Sequence, residues 1–566
     1  MSSLPASWRH RWQRYAASEL RDDLVAACIV SVLLIPQSLA YAMLAGLPPQ
    51  AGLYASLLPL AAYAALGSSP FLSVGPVAML ALMIAQALSQ APTDVSATDA
   101  GLVLAAEVGL ALALAASLRL DALASLLSVP VLHGFETGAT LSIAASQLPV
   151  LFGSPAHGFE WPALLRSGVE SHWAWQPWTL LFGGTSLLLL LLARLGLPAL
   201  LARLMRDSLA TTVARLAPLL ILLAAMLLAH AVQVQARGVA LVGTLPQLSL
   251  PLALPPVDLT LWLAMLPSAL MLALLAYVSS LVVAESLARR RAQRIHPRRE
   301  LWGLAGANVV ASFSGGMPVA GSFSRSVLLF DAGGRTRMCI VFIAILMGGA
   351  LLLLADALAW LPRSVLAATI IVAVLSGLKF DPFAKAWRYD QGEALLMAAV
   401  CMLVLVAGIS VALGLGVLGS IALLLKRTAQ PHVALIGRVP GTEHYRNVDR
   451  HQVERHPEVL SLRIDESMLF TNVRRLPDVV QAHLDQHPRT RRVVLLMSPV
   501  NGIDFSGLEA LHELHDALAR QDIRLDLSEI KGPVLDRLKA SGWEQWFRGQ
   551  VHLSHHQGML CPASAD

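Results

Sequence analysis

Residues 315–326 read GGMPVAGSFSRS: three glycines and a proline, then a serine-rich turn ending in Arg325. Regular helix does not run through such a stretch, because glycine loses the most backbone freedom and proline lacks an N–H. The sequence on either side is strongly apolar, so the break lies at membrane depth. An arginine there costs about 2.5–3.5 kcal/mol even on a lenient insertion scale. Irregular backbone is tolerated at that depth only where it is buried in protein or lines a watery cavity. The other half of the chain holds a comparable interruption, FLSVGPVAM (71–79). Paired Gly/Pro breaks in two halves mark the midplane binding site of a transporter-like fold.

Bulk composition agrees with a membrane protein. The chain has 566 residues, 56% hydrophobic and 14% charged, with a mean hydropathy of +0.62. The apolar excess stops near Lys426 and Arg427, and a stretch of ordinary soluble composition follows. This predicts a short N-terminal segment (1–22), a membrane domain (23–427) and a soluble domain (431–566). Arg9, Arg11, Arg14 and Arg21 lead directly into a full-length span with no small-residue cleavage site, so no signal peptide is expected.

The net charge of +5 does not point to nucleic acid, because the basic residues sit in particular loops. They gather in RRRAQRIHPRR (289–299), between Arg194 and Arg215, and between Lys379 and Arg388. The loops QAPTDVSATD (90–99) and 158–177 are neutral to acidic. That alternation predicts an inner (plasma) membrane protein with both termini cytoplasmic, and it puts Trp161, Trp173, Trp175 and Trp178 in an outer interfacial belt. The four cysteines (Cys28, Cys339, Cys401 and Cys561) have no metal or disulfide spacing.

Apolar runs fall at about 23–44, 51–66, 76–90, 100–118, 129–151, 177–193, 213–232, 260–288, 300–313, 322–331, 338–356, 363–378, 393–408 and 409–426. A span needs about 20 residues, so the third and tenth are too short to cross alone. Each follows an extended Gly/Pro segment. Seven plus seven, with the broken element third in each set, predicts an inverted repeat.

IPQSLAYAMLAGLPPQAGLYASLLP (35–59) followed by FLSVGPVAM resembles the signature of the sulfate permease family of anion transporters. GSFSRS (321–326) with AGGRT (332–336), LSVPVLHGFETGA (127–139) and 298–313 extend the resemblance over nearly the whole chain. It implies a uracil-permease-like fold in fourteen segments. A core (segments 1–4 and 8–11) would move against a gate (5–7 and 12–14), usually in a homodimer. It also implies an anion held between half-helices 3 and 10. Gly75, Pro76 and Val77 would open the third and Ser322, Phe323 and Ser324 the tenth, with Gln37 and Tyr41 lining the site and Arg325 beside it.

Elementary electrostatics reaches the same place. Each half-helix N-terminus offers unpaired N–H groups and about +0.5 charge, so two of them with a guanidinium give roughly +2. Gln37 follows Pro36, whose missing N–H loosens the helix; its amide is free to serve an anion, a freed carbonyl or a packing hydrogen bond. Tyr41 reads as a pocket wall rather than a ligand. Ser324 suits either the anion or its own helix start. For Arg325 the competing role is an ion pair with Asp331 or Glu107.

The tail alternates strands (433–437, 459–464, 491–497, 523–530) with amphipathic helices, an α/β pattern. LFTN (469–472) and GIDFSGLEAL (502–511) resemble the family's STAS domain, although Met497 stands where an aspartate is common. Ser506 with Glu509 three residues on reads as a capping box. The alternative is a phospho-acceptor role for Ser506, next to Asp504, toward a cytoplasmic regulatory partner. His552, His555 and His556 read as exposed and solvated.

No enzyme, metal or cofactor chemistry is expected. His133 and Glu136 lie one turn apart but lack further ligands, and neither a nucleophile–base pair nor a Walker motif is present. Sulfate leads the expected substrates, then bicarbonate, dicarboxylates or chloride; a STAS-bearing sensor that moves no solute is the reading from another class. Many proton-coupled relatives carry a glutamate in the eighth segment, where AYVSSLVVAE (276–285) has Ser279. That predicts exchange or passive flux unless Glu107, mid-way along an apolar segment, takes over.

Overall fold

The computed structural model describes residues 17–92, 94–121, 128–155, 157–196, 207–244, 252–375, 377–429 and 433–560. Arg9, Arg11 and Arg14, residues 197–206 of the basic stretch and Cys561 lie outside them. The chain forms two compact units, Met1–Ser420 and Ile421–Asp566.

In the first unit α1 (Ala17–Leu44) leads into α2 (Pro49–Tyr54) and α3 (Leu58–Leu66). The second apolar run was expected to be one segment and is instead two short helices. Pro59, in the first turn of α3, has no N–H to donate toward Ala55 and ends the preceding helix. Next come β1 (Val74–Gly75), α4 (Ala78–Leu88), α5 (Ala97–Ser117), α6 (Val129–Phe152), α7 (Trp161–Glu170), α8 (Pro177–Leu195) and α9 (Asp207–Ala231). The second half runs through α10 (Leu259–Arg290), α11 (Pro297–Phe313), β2 (Ala320–Gly321), α12 (Phe323–Asp331), α13 (Met338–Leu358), α14 (Arg363–Leu375), α15 (Asp381–Tyr389), α16 (Gln391–Ala407) and α17 (Ile409–Thr428).

Each apolar run read from the sequence falls on one of these helices, except 51–66, which covers two. Among the described residues six are long and apolar enough to cross a bilayer: α1, α5, α8, α10, α13 and α17. The amphipathic α7 and α15 occupy stretches read only as loops, and α15 buries none of its residues.

Packing sorts the helices into two sets. The most extensive contacts join α11 to α5 and α3, and α10 to α5; separately, α6 packs on α16 and α14, and α14 on α8. Small residues let the backbones close in. A β-carbon at Gly134 of α6 would lie 2.3 Å from Met397 O of α16, and one at Gly52 of α2 would lie 1.8 Å from Ser38 O of α1. A buried carboxylate ties the first set together. Glu300 of α11 accepts from Tyr63 OH at 2.6 Å, from Ser68 N–H at 2.8 Å and from Ser69 N–H at 2.9 Å.

The second unit is a six-stranded sheet of β3 (Val433–Arg438), β4 (Tyr445–Asn447), β5 (Val459–Ile464), β6 (Arg492–Leu496), β7 (Arg524–Ser528) and β8 (Val551–His552), in the order β4-β3-β5-β6-β7-β8. Strands β5 to β8 are parallel, and β3 runs antiparallel to both its neighbours. The two strands not foreseen, β4 and β8, are three and two residues long, too short to show a period. Leu460, Leu462, Val493, Leu495, Leu525 and Leu527 form the core with α18 (Leu476–Gln486), α19 (Phe505–Ala519) and α20 (Gly532–Ala540). Met497 is fully buried.

Strand alternation turns a polar set to the other face: Ser461, Arg492, Asp526 and Ser528, all buried. There the histidine expectation is corrected. His555, which opens α21 (His555–Leu560), is buried, with Nε2 2.7 Å from Ser461 Oγ and Nδ1 2.7 Å from Ser528 Oγ. Burial, helped by the positive charge of His552, Arg492 and His556, pushes its pKa down to about 4. His552 is also buried, its Nε2 3.6 Å from Asp526 Oδ2. Arg492 Nη2 donates to Gly558 O at 2.6 Å and so holds α21 against the sheet.

The capping expectation is corrected too. Asp504, not Ser506, caps α19, its Oδ1 accepting from Gly507 N–H at 2.8 Å while Oδ2 accepts from Phe470 N–H at 2.8 Å. A carboxylate is the stronger acceptor at a helix start. Ser506 becomes the second residue of the helix and is exposed.

Candidate functional site

The two broken segments meet. Strand β1 pairs antiparallel with β2, Val74 opposite Gly321 and Gly75 opposite Ala320. Immediately after each strand a helix begins: Val77 is the N-cap residue of α4 and Ser322 that of α12. Two residues of ribbon thus tie together the starts of two short helices whose first N–H groups have no intrahelical partners.

Several buttresses hold the ribbon. Ser322 N–H donates to Ser73 O at 3.0 Å, and Ser326 Oγ accepts from Ser73 N–H at 2.9 Å. Ser280 Oγ, on α10, accepts from Gly321 N–H at 2.8 Å. Beneath it, Ser38 and Ser56 share a hydrogen bond of 2.7 Å between their hydroxyls. None of Ser38, Ser56, Ser73, Ser280 or Ser326 stood out in the sequence, since an intramembrane serine is usually a packing residue. A serine directly beside a Gly/Pro break is the one signal they carry.

Arg325 lies in the first turn of α12 and is 1% exposed. Its Nη1 donates to Gln37 Oε1 at 3.5 Å, a long contact. Nε and Nη2 have no hydrogen-bond partner, and no ion pair joins Arg325 to Asp331 or Glu107 among the described residues. Gly75 leaves room for the guanidinium: a β-carbon there would sit 3.3 Å from Nη2 and 3.6 Å from Ser56 Oγ. Tyr41 is buried one turn beyond Gln37, and Pro76 is buried as well. Phe323 and Ser324 are exposed, so the start of α12 is open to its surroundings, and Lys379 Nζ stands 5.8 Å over the Phe323 ring. The arrangement is a desolvated cation and two helix N-termini converging on one place, a chemistry that suits a small anion.

Known proteins point the same way. Residues 20–400 match the sulfate permease family and residues 450–558 the STAS domain. A probable sulfate transporter of Mycobacterium tuberculosis is 32% identical over 546 residues, covering 94% of this chain and 93% of that protein. The chain belongs to the sulfate permease family. Probable sulfate transporter 4.2 of Arabidopsis thaliana is 30% identical over 565 residues, covering 96% of this chain and 81% of that one. The fold is that of murine Slc26a9, an anion transporter solved in an inward-facing state, with a TM-score of 0.86 over 99% of this chain and 95% of that one at 20% identity. This sulfate permease family member is therefore a polytopic membrane protein with a C-terminal STAS domain.

The remaining candidates lie apart from the ribbon. Ser279 Oγ donates back to Leu275 O at 2.7 Å within α10, while its neighbour Ser280 does the bracing. Glu107 on α5 is 5% exposed and its Oε2 has no partner. Glu285 lies 3.9 Å from Arg289 at the end of α10. His133 and Glu136 are 3.6 Å apart and both 40% exposed. Among the described residues no group of His, Cys, Asp and Glu side chains has the geometry to hold a metal.

Proposed function

We propose that this sulfate permease is a secondary transporter of inorganic anions, with sulfate as the leading substrate. The observation that carries the reading is Arg325: a fully buried guanidinium with two unpartnered nitrogens beside the starts of α4 and α12. Burying such a charge unpaired costs several kcal/mol. An anion repays that cost through charge-assisted hydrogen bonds from Arg325 and hydrogen bonds from the free N–H groups in the first turns of α4 and α12. Gln37 orients the guanidinium, and Gly75 keeps the space beside it open.

The separation of packing into an α3–α5–α10–α11 set and an α6–α8–α14–α16 set supports an inverted repeat with a core moving against a gate in alternating access. The anion would travel on the core in an elevator-like step. The membrane is the inner one, with both termini cytoplasmic, and the working form is a homodimer. Ser506, exposed beside Asp504, offers the STAS domain a phospho-acceptor and a surface for a cytoplasmic regulator.

Radiolabelled uptake into proteoliposomes tests the substrate, with sulfate, bicarbonate, a dicarboxylate and chloride each offered alone and as counter-substrate. Saturable sulfate flux that the other anions inhibit less than sulfate itself supports the reading. Saturable flux of one of the others with none for sulfate replaces the substrate. Absence of flux for all four, in protein that is folded and inserted, leaves the sensor role in its place.

A further inference from the structure

A cavity of about 340 Å³ opens in the second unit where β5 begins. It is lined by the exposed segment Glu454–Pro457 with His487 and Thr490, and on its apolar side by Leu435, Val459 and Met559. The volume falls in the range of small-molecule sites, roughly 300–1,000 Å³.

The polar side is cationic once its partners are counted. Glu454, its one carboxylate, is taken up by Arg438, whose Nη2 and Nε donate to Oε2 at 2.6 and 3.2 Å. Arg455 has no acid. Its Nη1 donates to His487 Nε2 at 3.2 Å, while His487 Nδ1 lies 2.8 Å from His483 O. A guanidinium only donates and a carbonyl only accepts, so His487 is the neutral tautomer with its proton on Nδ1. The imidazole thus aims Arg455 without cancelling its charge. His456 accepts from Glu458 N–H through Nδ1 at 3.3 Å, which leaves its Nε2–H free to donate. Two oriented donors and one uncompensated charge thus share the cavity with the apolar Leu435, Val459 and Met559.

We propose that this cavity is a ligand site for a small organic anion. A carboxylate or phosphate would meet Arg455 and His456, and an apolar body would lie on Leu435, Val459 and Met559. A bare inorganic anion would leave most of the volume to water. The site is built entirely from residues of the STAS unit, so it is a candidate for controlling the permease by a metabolite rather than by its own substrate.

The test uses full-length detergent-purified protein and hydrogen–deuterium exchange, with phenyl phosphate and benzoate as probes and inorganic phosphate and phenol as controls. Phenyl phosphate or benzoate should slow exchange across 453–461 and 485–492, and the more protective of the two names the head group. Arg455→Ala should weaken that protection about tenfold or more, the scale of one charge-assisted hydrogen bond. His456→Phe should weaken it without Arg455 being touched. His487→Gln, whose amide oxygen can still accept from Arg455, should keep more of it than His487→Phe. Anion flux without probe should be unchanged in Arg455→Ala. Failure of both organic probes to protect this region overturns the proposal, as does protection indifferent to Arg455→Ala and His456→Phe. Protection by inorganic phosphate equal to that by phenyl phosphate overturns the organic part.

Discussion

At Arg325 a guanidinium has given up its water without gaining a counter-ion among the described residues, which makes the residue costly to the fold and, under the proposed function, the source of charge for an anion. Arg325→Ala removes about half of the roughly +2 charge gathered at the ribbon. Anion affinity should fall by about a hundredfold or more, the loss of two charge-assisted contacts at ~1.5–3 kcal/mol each. The variant should be no less thermally stable than wild type in anion-free buffer, because removing an unpaired buried charge relieves desolvation. Arg325→Lys keeps the charge but not the planar fork and should fall in between. Anion titration together with melting curves checks both halves. Wild-type affinity in Arg325→Ala would remove the site assignment.

Arg325 was legible in the sequence because its cost is local: a charge in an apolar run beside a glycine–proline break. Ser279 drew notice as the position of a relative's glutamate, and nothing in the sequence marked Ser280 as the serine that meets the ribbon. A step of one residue turns a helix by about 100°, so Ser280 faces β2 while Ser279 bonds its own helix. A run apolar on all sides carries no period from which to decide that.

Among elements, the start of α19 separates a cap from a possible modification site. Asp504→Ala removes the acceptor for both Gly507 N–H and Phe470 N–H and should cost about 1–2 kcal/mol of STAS stability. Ser506→Ala should change it by a few tenths at most. Urea-dependent hydrogen exchange across 465–515 ranks the two; a larger loss for Ser506→Ala would restore the capping box.

The clamp between α21 and the sheet makes a pH prediction. His555 has a pKa of about 4 in the fold against its ordinary 6.5, so between these values the unfolded chain binds the extra proton. Its contribution to stability is therefore complete above pH 6.5 and is lost as pH falls toward 4. At ~1.4 kcal/mol per unit the full loss is about 3 kcal/mol. Exchange rates of β5–β7 amides, corrected for intrinsic pH dependence, should rise over that window in wild type and rise less in His555→Gln. Equal pH profiles would show that another group carries the effect.

For the whole molecule, every residue of the candidate anion site lies in the first unit and none in the second. Deleting 431–566 should leave a membrane unit that binds sulfate with wild-type affinity, whatever happens to rate, trafficking or dimer stability. A truncated protein that is folded yet binds nothing would show that the tail contributes to the site.

Coupling also belongs to this scale. A serine neither titrates near neutrality nor supplies a carboxylate for a cation. Dianion entry against an inside-negative potential is opposed by about 4.6 kcal/mol per 100 mV. Flux should therefore follow exchange and depend weakly on a proton gradient, unless the buried Glu107 titrates. Accumulation driven by an imposed proton gradient that disappears in Glu107→Gln would assign the proton to Glu107. Accumulation that survives the substitution would refute both halves of the argument.

The sequence by itself determined the class of fold, the approximate positions of the long apolar helices and the two breaks, since each rests on local facts: an apolar run long enough for a bilayer, or a glycine–proline stretch that cannot be helix. It also determined the α/β alternation of the tail. Tertiary structure alone decided that β1 meets β2 across more than two hundred residues, that Asp504 rather than Ser506 caps α19, and that His555 is buried between two serines. Each of these depends on which distant groups become neighbours. A short strand or a single polar side chain has too little local preference to choose its own partner, so packing of the whole chain chooses it.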